Sequence, residues 1–234
     1  VWVGEQGVRF YAGGRSLTRS SALVEAQAIK WANRRTRLEV ARAMYRMRFP
    51  DEDPAGLTRQ ELLGREGRRV KERYRQEAAK YGITWKGRHY IPGDFGSGDP
   101  VNQAVTAAAQ CMYGIAQTTV AALGCSPGLG FIHSGHELAF VLDIADLYKT
   151  EFALPIAFRT VAESPEDVGS RTRRAIRDEV NRVGLLRRCV DDIKSLLLPD
   201  VPDDPLNSDI DQVTLQGDHG EHLASGRNYD EGLW

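Results

Sequence analysis

The stretch from Asn102 to Leu123 reads NQAVTAAAQCMYGIAQTTVAAL, a run without proline in which small residues are frequent. Because proline breaks helices, its absence over 22 positions favours an uninterrupted helix. Small side chains allow neighbouring elements to pack closely against such a helix. We therefore predict a helix over residues 102–123 at the centre of a helical domain.

Helical patterns continue on both sides of this stretch. Apolar residues at helical spacing predict one long helix from Leu23 to Phe49, and Thr58 with Glu61 forms a capping-box pattern that starts a second helix, which Gly82 ends. The polar face of the first helix carries Arg34, Arg35, Arg37, Arg42, Arg46 and Arg48. Further helices are predicted at His136–Lys149, Leu154–Val161 and Val168–Leu198, and a loop at Thr84–Asp99. The predicted fold class is mainly α.

The two ends of the chain differ from this helical body. VWVGEQGVRFYA at the start alternates in the manner of strands and is interrupted by glycine. We interpret residues 1–14 as the last strands of a β-rich N-terminal domain of which most is absent, so that the chain is expected to be a fragment. Residues 15–198 form the helical domain, and residues 199–234 are expected to be an acidic, flexible tail.

Charge is distributed unevenly although the formal net charge is only -1. Residues 1–100 contain 20 Lys+Arg against 12 Asp+Glu, a balance of +8, whereas residues 191–234 contain 2 against 11, a balance of -9. A basic front favours binding of a polyanion, and an acidic tail favours a separate partner. The alternative is an ordinary solvated charged surface.

The cysteines and the hydropathy indicate a cytoplasmic protein. Cys111, Cys125 and Cys189 form no CxxC pair and leave an odd thiol under any pairing, which is typical of a reducing compartment. No stretch is typical of a signal peptide or of a membrane-spanning helix, so no membrane association is predicted.

The segment from Phe131 to Asp146, FIHSGHELAFVLDIAD, contains the residues most suggestive of chemistry. Asp143 and Asp146 are three apart on a predicted helix that is otherwise apolar, so they share a face, and His133 precedes them in a turn. Because uncompensated buried carboxylates are costly, a cation is expected there, and carboxylates with imidazole suit Mg²⁺ or Mn²⁺. The alternative is that the aspartates pair with neighbours such as Lys149 and that His133 is an ordinary surface histidine.

A second unusual segment lies inside the helix predicted at 58–81. Gly64 and Gly67 each cost about 1 kcal/mol relative to alanine in a helix, which suggests close approach of another helix or of a ligand. Glu66 between them, with arginines on both sides, is either a metal-binding carboxylate next to phosphate-binding arginines or an exposed residue paired with Arg69.

Taken together, these segments resemble the CRISPR adaptation integrase family (Cas one), in particular its type I-E form. The resemblance covers nearly the whole chain, through the blocks VGEQGVRFYAGG, LGREGRRVKERY, AKYGITWKGRHY and the run from Asn102 to Lys149. It implies that residues 15–198 are a catalytic metal- and DNA-binding domain. It also implies that Glu66, His133 and Asp146 hold Mg²⁺ or Mn²⁺, with Asp143 acting indirectly or as a further ligand.

The resemblance also implies partners and a reaction. The expected DNA-contacting residues are Arg9, Arg65, Arg69, Tyr90, Tyr113, Lys149 and Arg173. The expected activity is metal-dependent endonuclease and integrase chemistry, in which a 3′-OH attacks a repeat-boundary phosphodiester and foreign fragments (spacers) enter a CRISPR array. Double-stranded and branched DNA would be the substrates. The second adaptation protein (Cas two) would be a partner, on which the acidic tail is expected to dock. Full-length members of the family would be homodimers.

Two other functions are compatible with the residues. The first is a DNA-binding scaffold subunit of the same assembly that performs no chemistry, which intact Glu66, His133 and Asp146 disfavour. The second is a helical hydrolase of a small phosphorylated substrate, which the excess of arginine over roughly residues 30–90 disfavours because it indicates a long polyanion.

Overall fold

The computed structural model describes residues 21–89 and 98–198 in full and, outside them, the backbone of four short strands at 2–4, 7–10, 214–216 and 222–224. The helices are α1 (Ala22–Ala32), α2 (Arg34–Arg48), α3 (Arg59–Lys80), α4 (Pro100–Ala122), α5 (Ala139–Tyr148), α6 (Leu154–Glu163), α7 (Val168–Val183) and α8 (Leu185–Leu197). A π-helical turn, Lys149–Ala153, joins α5 to α6. The predicted fold class, mainly α, is confirmed.

Helix α4 is the central element, as the sequence predicts. Ala104, Ala107 and Ala108 are fully buried, and Met112 is 1% exposed. The helix contacts α5, α6, α7 and α8. Its alanine-rich surface lets these helices approach closely, and the predicted central position is confirmed.

Helix α3 begins as the capping box predicts. The side chain of Thr58 accepts a hydrogen bond from the backbone N–H of Glu61, and the Glu61 carboxylate accepts from the backbone N–H of Thr58. These reciprocal bonds satisfy donors that a helix start otherwise leaves without partners. The helix therefore has a fixed beginning.

Three predicted helices differ in the structure. The single helix expected at 23–49 is divided at Asn33, which adopts an extended backbone and caps α2 by accepting from the N–H groups of Arg35 and Thr36. The helix expected at 168–198 is divided at Gly184, whose φ of 64° favours glycine. The helix expected from His136 begins only at Ala139, because the preceding residues form the turn that carries His133.

Two antiparallel pairs of short strands lie toward the chain ends. Strand β1 (Trp2–Gly4) pairs with β2 (Gly7–Phe10), and β3 (Thr214–Gln216) pairs with β4 (His222–Ala224). The pair of strands β3 and β4 was not predicted from the sequence. The domain division at residues 14 and 198 stays a prediction.

None of the described helices is long and apolar enough to cross a membrane.

The three cysteines are free thiols, of which Cys125 and Cys189 are buried and Cys111 is partly buried. Burial raises the pKa of all three thiols above the ordinary cysteine value. A raised pKa lowers the fraction of the nucleophilic thiolate at neutral pH.

Candidate metal and nucleic-acid site

The turn that carries His133 is organised around the carboxylate of Asp143. One oxygen, Oδ2, accepts the backbone N–H groups of Phe131 (2.6 Å) and Ile132 (3.0 Å). The other, Oδ1, accepts the backbone N–H of His133 (2.9 Å) and lies 2.7 Å from its ring Nδ1. The Asp143 side chain is 0% exposed. A buried carboxylate is tolerated here because four donors satisfy it.

This arrangement fixes the orientation of the His133 ring. A carboxylate accepts hydrogen bonds, so Nδ1 donates to Asp143 and Nε2 is the ring nitrogen that can accept a proton or bind a metal. The hydrogen bond to Asp143 raises the pKa of the imidazole above the ordinary histidine value, although partial burial acts in the opposite direction. Of the two roles expected for Asp143, the geometry therefore favours the indirect one.

Asp146 pairs with a lysine. Its Oδ1 lies 2.5 Å from Nζ of Lys149, which also donates to the hydroxyl of Tyr113 at 2.7 Å and lies over the Tyr113 ring. Burial lowers the pKa of Lys149, but the attraction of Asp146 and Tyr113 outweighs this, and the net pKa is raised. Although Asp143 and Asp146 are three residues apart, one supports a turn and the other faces a cavity. The sequence alternative in which Lys149 pairs with an aspartate holds for Asp146.

Glu66 of α3 is paired with an arginine that the sequence did not single out. Nη1 of Arg48, the last residue of α2, lies 2.8 Å from Glu66 Oε1, and the side chains are 3% and 18% exposed. The alternative in which Glu66 pairs with Arg69 is wrong, since Arg69 contacts Asp51 and Glu52 instead.

Glu66 and Asp146 line the same cavity, which has a volume of about 260 Å³. Its polar lining also includes Arg48, Arg88, Tyr113 and Lys149. His133 does not line it, but the charges of Asp146 and Glu66 both contribute to its raised pKa, which places the ring within electrostatic reach. The three predicted ligands therefore belong to one region of the molecule.

The donor set suits a hard divalent cation, but the side chains do not form a ready cage. Two carboxylates with one imidazole match the preferences of Mg²⁺ and Mn²⁺. Among residues 21–89 and 98–198, no three His, Cys, Asp or Glu side chains are close enough to hold a metal ion. Each carboxylate is instead balanced by a protein cation, Glu66 by Arg48 and Asp146 by Lys149.

The Arg48–Glu66 pair predicts a measurable coupling in stability. Arg48→Leu leaves a partly buried carboxylate without its partner, and we expect it to lower the free energy of unfolding by about 2 kcal/mol. Adding Glu66→Leu should restore most of this loss, because the unpaired charge is then removed as well. Urea unfolding of both single variants and of the double variant measures the coupling.

The matched control for that cycle is Arg35→Leu. Arg35 pairs with Glu39 on the surface, with its side chain 88% exposed, so its loss should change the free energy of unfolding by no more than about 0.5 kcal/mol. Losses at Arg48 and Glu66 that simply add would contradict the coupling.

The predicted DNA-contacting residues occupy different environments. Arg65 and Arg69 of α3 are engaged in ion pairs with Glu52 and Asp51, whereas Arg173 of α7 is exposed and contacts only Ser170 among the bonds described. Tyr113 and Lys149 lie in the cavity. The side chain of Arg9 and the whole of Tyr90 lie outside the described residues.

Within the described residues, five of the six arginines on the predicted polar face of the first helix contact other residues of the protein, and two of them, Arg35 and Arg46, form exposed ion pairs with Glu39 and Asp53. Arg37 donates to the carbonyl of Gly130, Arg42 donates to the carbonyl of Leu57, and Arg48 holds Glu66. No sequence signal separates Arg37, Arg42 and Arg48 from the other three arginines. Their partners, Gly130, Leu57 and Glu66, lie 15 or more residues away in the chain.

Gly64 and Gly67 are not sites of close packing within the described part of the chain. A Cβ added at either position would meet no atom within 4 Å. The expectation that another helix approaches them is wrong, and the open space beside Glu66 leaves room for a ligand.

Comparison with known proteins places these features in a wider context. No protein-family model matches the chain. It is 46% identical over 231 residues to the CRISPR-associated endonuclease Cas1 of Clostridium sp. (strain SY8519), which covers 98% of this chain and 76% of that protein. It is 40% identical over 178 residues to CRISPR-associated endonuclease Cas1 of Escherichia coli (strain K12), with 76% of this chain and 58% of that protein covered. A crystal structure of a TtCas1–DNA complex superposes with a TM-score of 0.73 at 47% identity, covering 84% of this chain and 73% of that one.

Proposed function

Because this chain belongs to the CRISPR-associated endonuclease Cas1 family, we propose that it is a metal-dependent DNA endonuclease and integrase of CRISPR adaptation. The observation that carries the proposal is the cavity in which Glu66 and Asp146, from different helices, face the same space together with Arg88 and Lys149. Carboxylates that are close to cationic side chains suit a phosphodiester together with a divalent cation. The chemistry expected is attack of a DNA 3′-OH, or of water, on a phosphodiester.

Glu66, His133 and Asp146 are the residues that would hold Mg²⁺ or Mn²⁺. The metal, when bound, supplies charge stabilisation at the phosphate and helps to activate the attacking hydroxyl. For both carboxylates to be available, Glu66 must separate from Arg48, and Asp146 from Lys149. The released cations then lie beside the cavity, where they can bind phosphate oxygens.

The remaining polar groups have roles that follow from their positions. Arg88 and Lys149 line the cavity and offer positive charge to the DNA backbone, and Tyr113 holds Lys149 through its hydroxyl. Its ring is also suited to stacking against a base. Nε2 of His133, held in orientation by Asp143, can bind the metal or take a proton from the attacking hydroxyl.

The relation to DNA is supported by the similar TtCas1 structure, which is a complex with DNA. We extend DNA binding to this chain and expect double-stranded and branched DNA as substrates. The type I-E subtype, the partnership with the second adaptation protein, the homodimer and the cytoplasmic location stay predictions.

The proposal is tested by cleavage and binding measured side by side on a branched DNA. We expect cleavage that requires Mg²⁺ or Mn²⁺ and stops with a chelator. The logarithm of the binding constant should fall with the logarithm of salt concentration with a slope of about -3 or steeper, as expected when several phosphates are contacted. The Asp146→Ala variant, purified in the same way, identifies any contaminating nuclease.

The other outcomes distinguish the alternative functions. Salt-dependent binding without cleavage under any metal would support the DNA-binding scaffold instead. Neither binding nor cleavage would refute the proposal and leave the hydrolase of a small phosphorylated substrate as the candidate.

A further inference from the structure

The turn that carries His133 is held by side chains from helices far from it in the sequence. The carbonyl oxygen of Gly130 accepts hydrogen bonds from Nε1 of Trp31 and Nη2 of Arg37, both at 3.0 Å. The carbonyl of Ile132 accepts from Nε of Arg59 at 3.1 Å and from its Nη2. With Asp143 satisfying the backbone N–H groups, the turn is tied through both its donors and its acceptors.

Arg59 is the member of this set that contacts the chain on both sides of His133. Its guanidinium binds the carbonyl of Ile132, and Nη2 also lies 3.4 Å from the hydroxyl of Ser134. Two N–H groups of the planar guanidinium thus bind the same carbonyl oxygen, in an arrangement that we call a fork. This fork restricts rotation of the turn more than a single hydrogen bond would.

The position of Arg59 in its helix indicates that it is not there to stabilise the helix. It is the first residue of α3, where the partial positive charge of the helix dipole disfavours a cation. The start of α3 is already satisfied by Thr58 and Glu61. The contacts with the His133 turn give a cation at this position a favourable role.

The same helix carries Glu66, two turns further along. Residues seven apart in a helix lie on nearly the same face, separated by about 10 Å along the axis. Helix α3 therefore presents Glu66 directly, and through Arg59 it also fixes the turn that carries His133.

We infer that Arg59 is a positioning residue that sets the His133 ring relative to Glu66 on the same helix. The inference rests on the proposed function for its consequence in metal binding, but the placement of the ring is a property of the metal-free protein. Arg37 and Trp31 restrain the start of the turn, and Arg59 restrains the residues on either side of the histidine.

The test compares Arg59→Gln with the wild-type chain in two measurements that do not depend on activity. The first is ¹⁵N NMR of the histidine rings in the metal-free protein, at a pH well above the raised pKa of His133, with His133 assigned from a His133→Ala sample. Wild type should show a single tautomer with the proton on Nδ1, and Arg59→Gln should show a mixture of tautomers. The second is the dissociation constant of Mn²⁺, which should rise about tenfold, as when other outer partners of metal ligands are lost.

Two further variants make the comparison specific. Arg75→Gln is the matched control, because Arg75 lies on the same helix, is 73% exposed and pairs with Glu72; it should change neither measurement. Arg59→Lys keeps the charge but not the fork, and should restore both measurements in part. It also carries the test if Arg59→Gln does not fold.

The inference is overturned if Arg59→Gln keeps the wild-type tautomer signal, or if Mn²⁺ binding weakens while that signal is unchanged. A different measurement, Mn²⁺ binding by variants of the predicted ligands, shows whether the proposed metal site itself is wrong. In that case Glu66→Ala and His133→Ala would leave Mn²⁺ binding unchanged, while the NMR comparison would still decide the role of Arg59.

Discussion

Replacing Asp143 by alanine is expected to lower the free energy of unfolding by about 3–6 kcal/mol, because three backbone N–H groups lose their acceptor in a buried place. These groups belong to Phe131, Ile132 and His133, and they all bind one side chain that is 0% exposed. A buried donor without a partner costs about 1–3 kcal/mol, and the turn can relax only partly to reach water. Unfolding in urea, followed by circular dichroism, measures the loss.

Asp143→Asn refines this expectation. The amide has nearly the same shape, but its NH₂ group must face N–H donors on one side or the other, because both carboxylate oxygens act as acceptors. The loss should therefore be a substantial part of that caused by alanine. Asp191→Ala on the exposed surface of α8 is the control and should change the free energy of unfolding by about 0.5 kcal/mol or less. A loss below about 1 kcal/mol for Asp143→Ala would mean that the turn finds other acceptors.

The parts of the fold that could be predicted are those set by local chemistry. The capping box of Thr58 and Glu61 involves four residues in sequence, and the central helix follows from the small residues over 102–123. In both cases the information that decides the structure lies within the element itself. The break at Gly184 was not predicted, because the sequence pattern across it is continuous, although the positive φ that ends one helix there is a local feature.

Two features that could not be predicted have different causes. The split at Asn33 rests on a local cap to the N–H groups of Arg35 and Thr36, but the apolar spacing continues through it and predicts one helix. Arg48 depends on a distant partner, since its pairing with Glu66 joins the end of α2 to the middle of α3. An arginine in a row of arginines carries no local sign that it will be buried.

The candidate site shows the same limit for Asp143 and Asp146. Their spacing correctly predicts two carboxylates near His133, but not that each has a different task. Both carboxylate oxygens of Asp143 accept hydrogen bonds from the turn, whereas Asp146 lines the cavity and pairs with Lys149. The difference follows from one turn of chain, residues 131–133, folding back over the start of α5, which no periodicity reveals.

Because Asp146 lines the cavity and Asp143 does not, we expect replacement of Asp146 to affect DNA cleavage rather than stability. Asp146→Ala should reduce metal-dependent cleavage of branched DNA by at least about a hundredfold, because even an outer partner of a metal ligand is worth 10–100-fold. The fold should be retained, since Asp146 supports no backbone group among the described hydrogen bonds and Lys149 keeps its contact with Tyr113. Single-turnover cleavage over a range of Mn²⁺ concentrations measures the effect.

Measuring DNA binding by Asp146→Ala shows whether the variant has lost only the cleavage step or has also lost the ability to bind DNA. Removing Asp146 takes away a negative charge beside Lys149, so binding of branched DNA without metal should be unchanged or tighter, even though cleavage is lost. Asp178→Ala, at an exposed position on α7, is the matched control and should leave both cleavage and binding unchanged. Equal cleavage by wild type and Asp146→Ala would place the chemistry elsewhere, because no other carboxylate lining the described cavity shares it with Glu66.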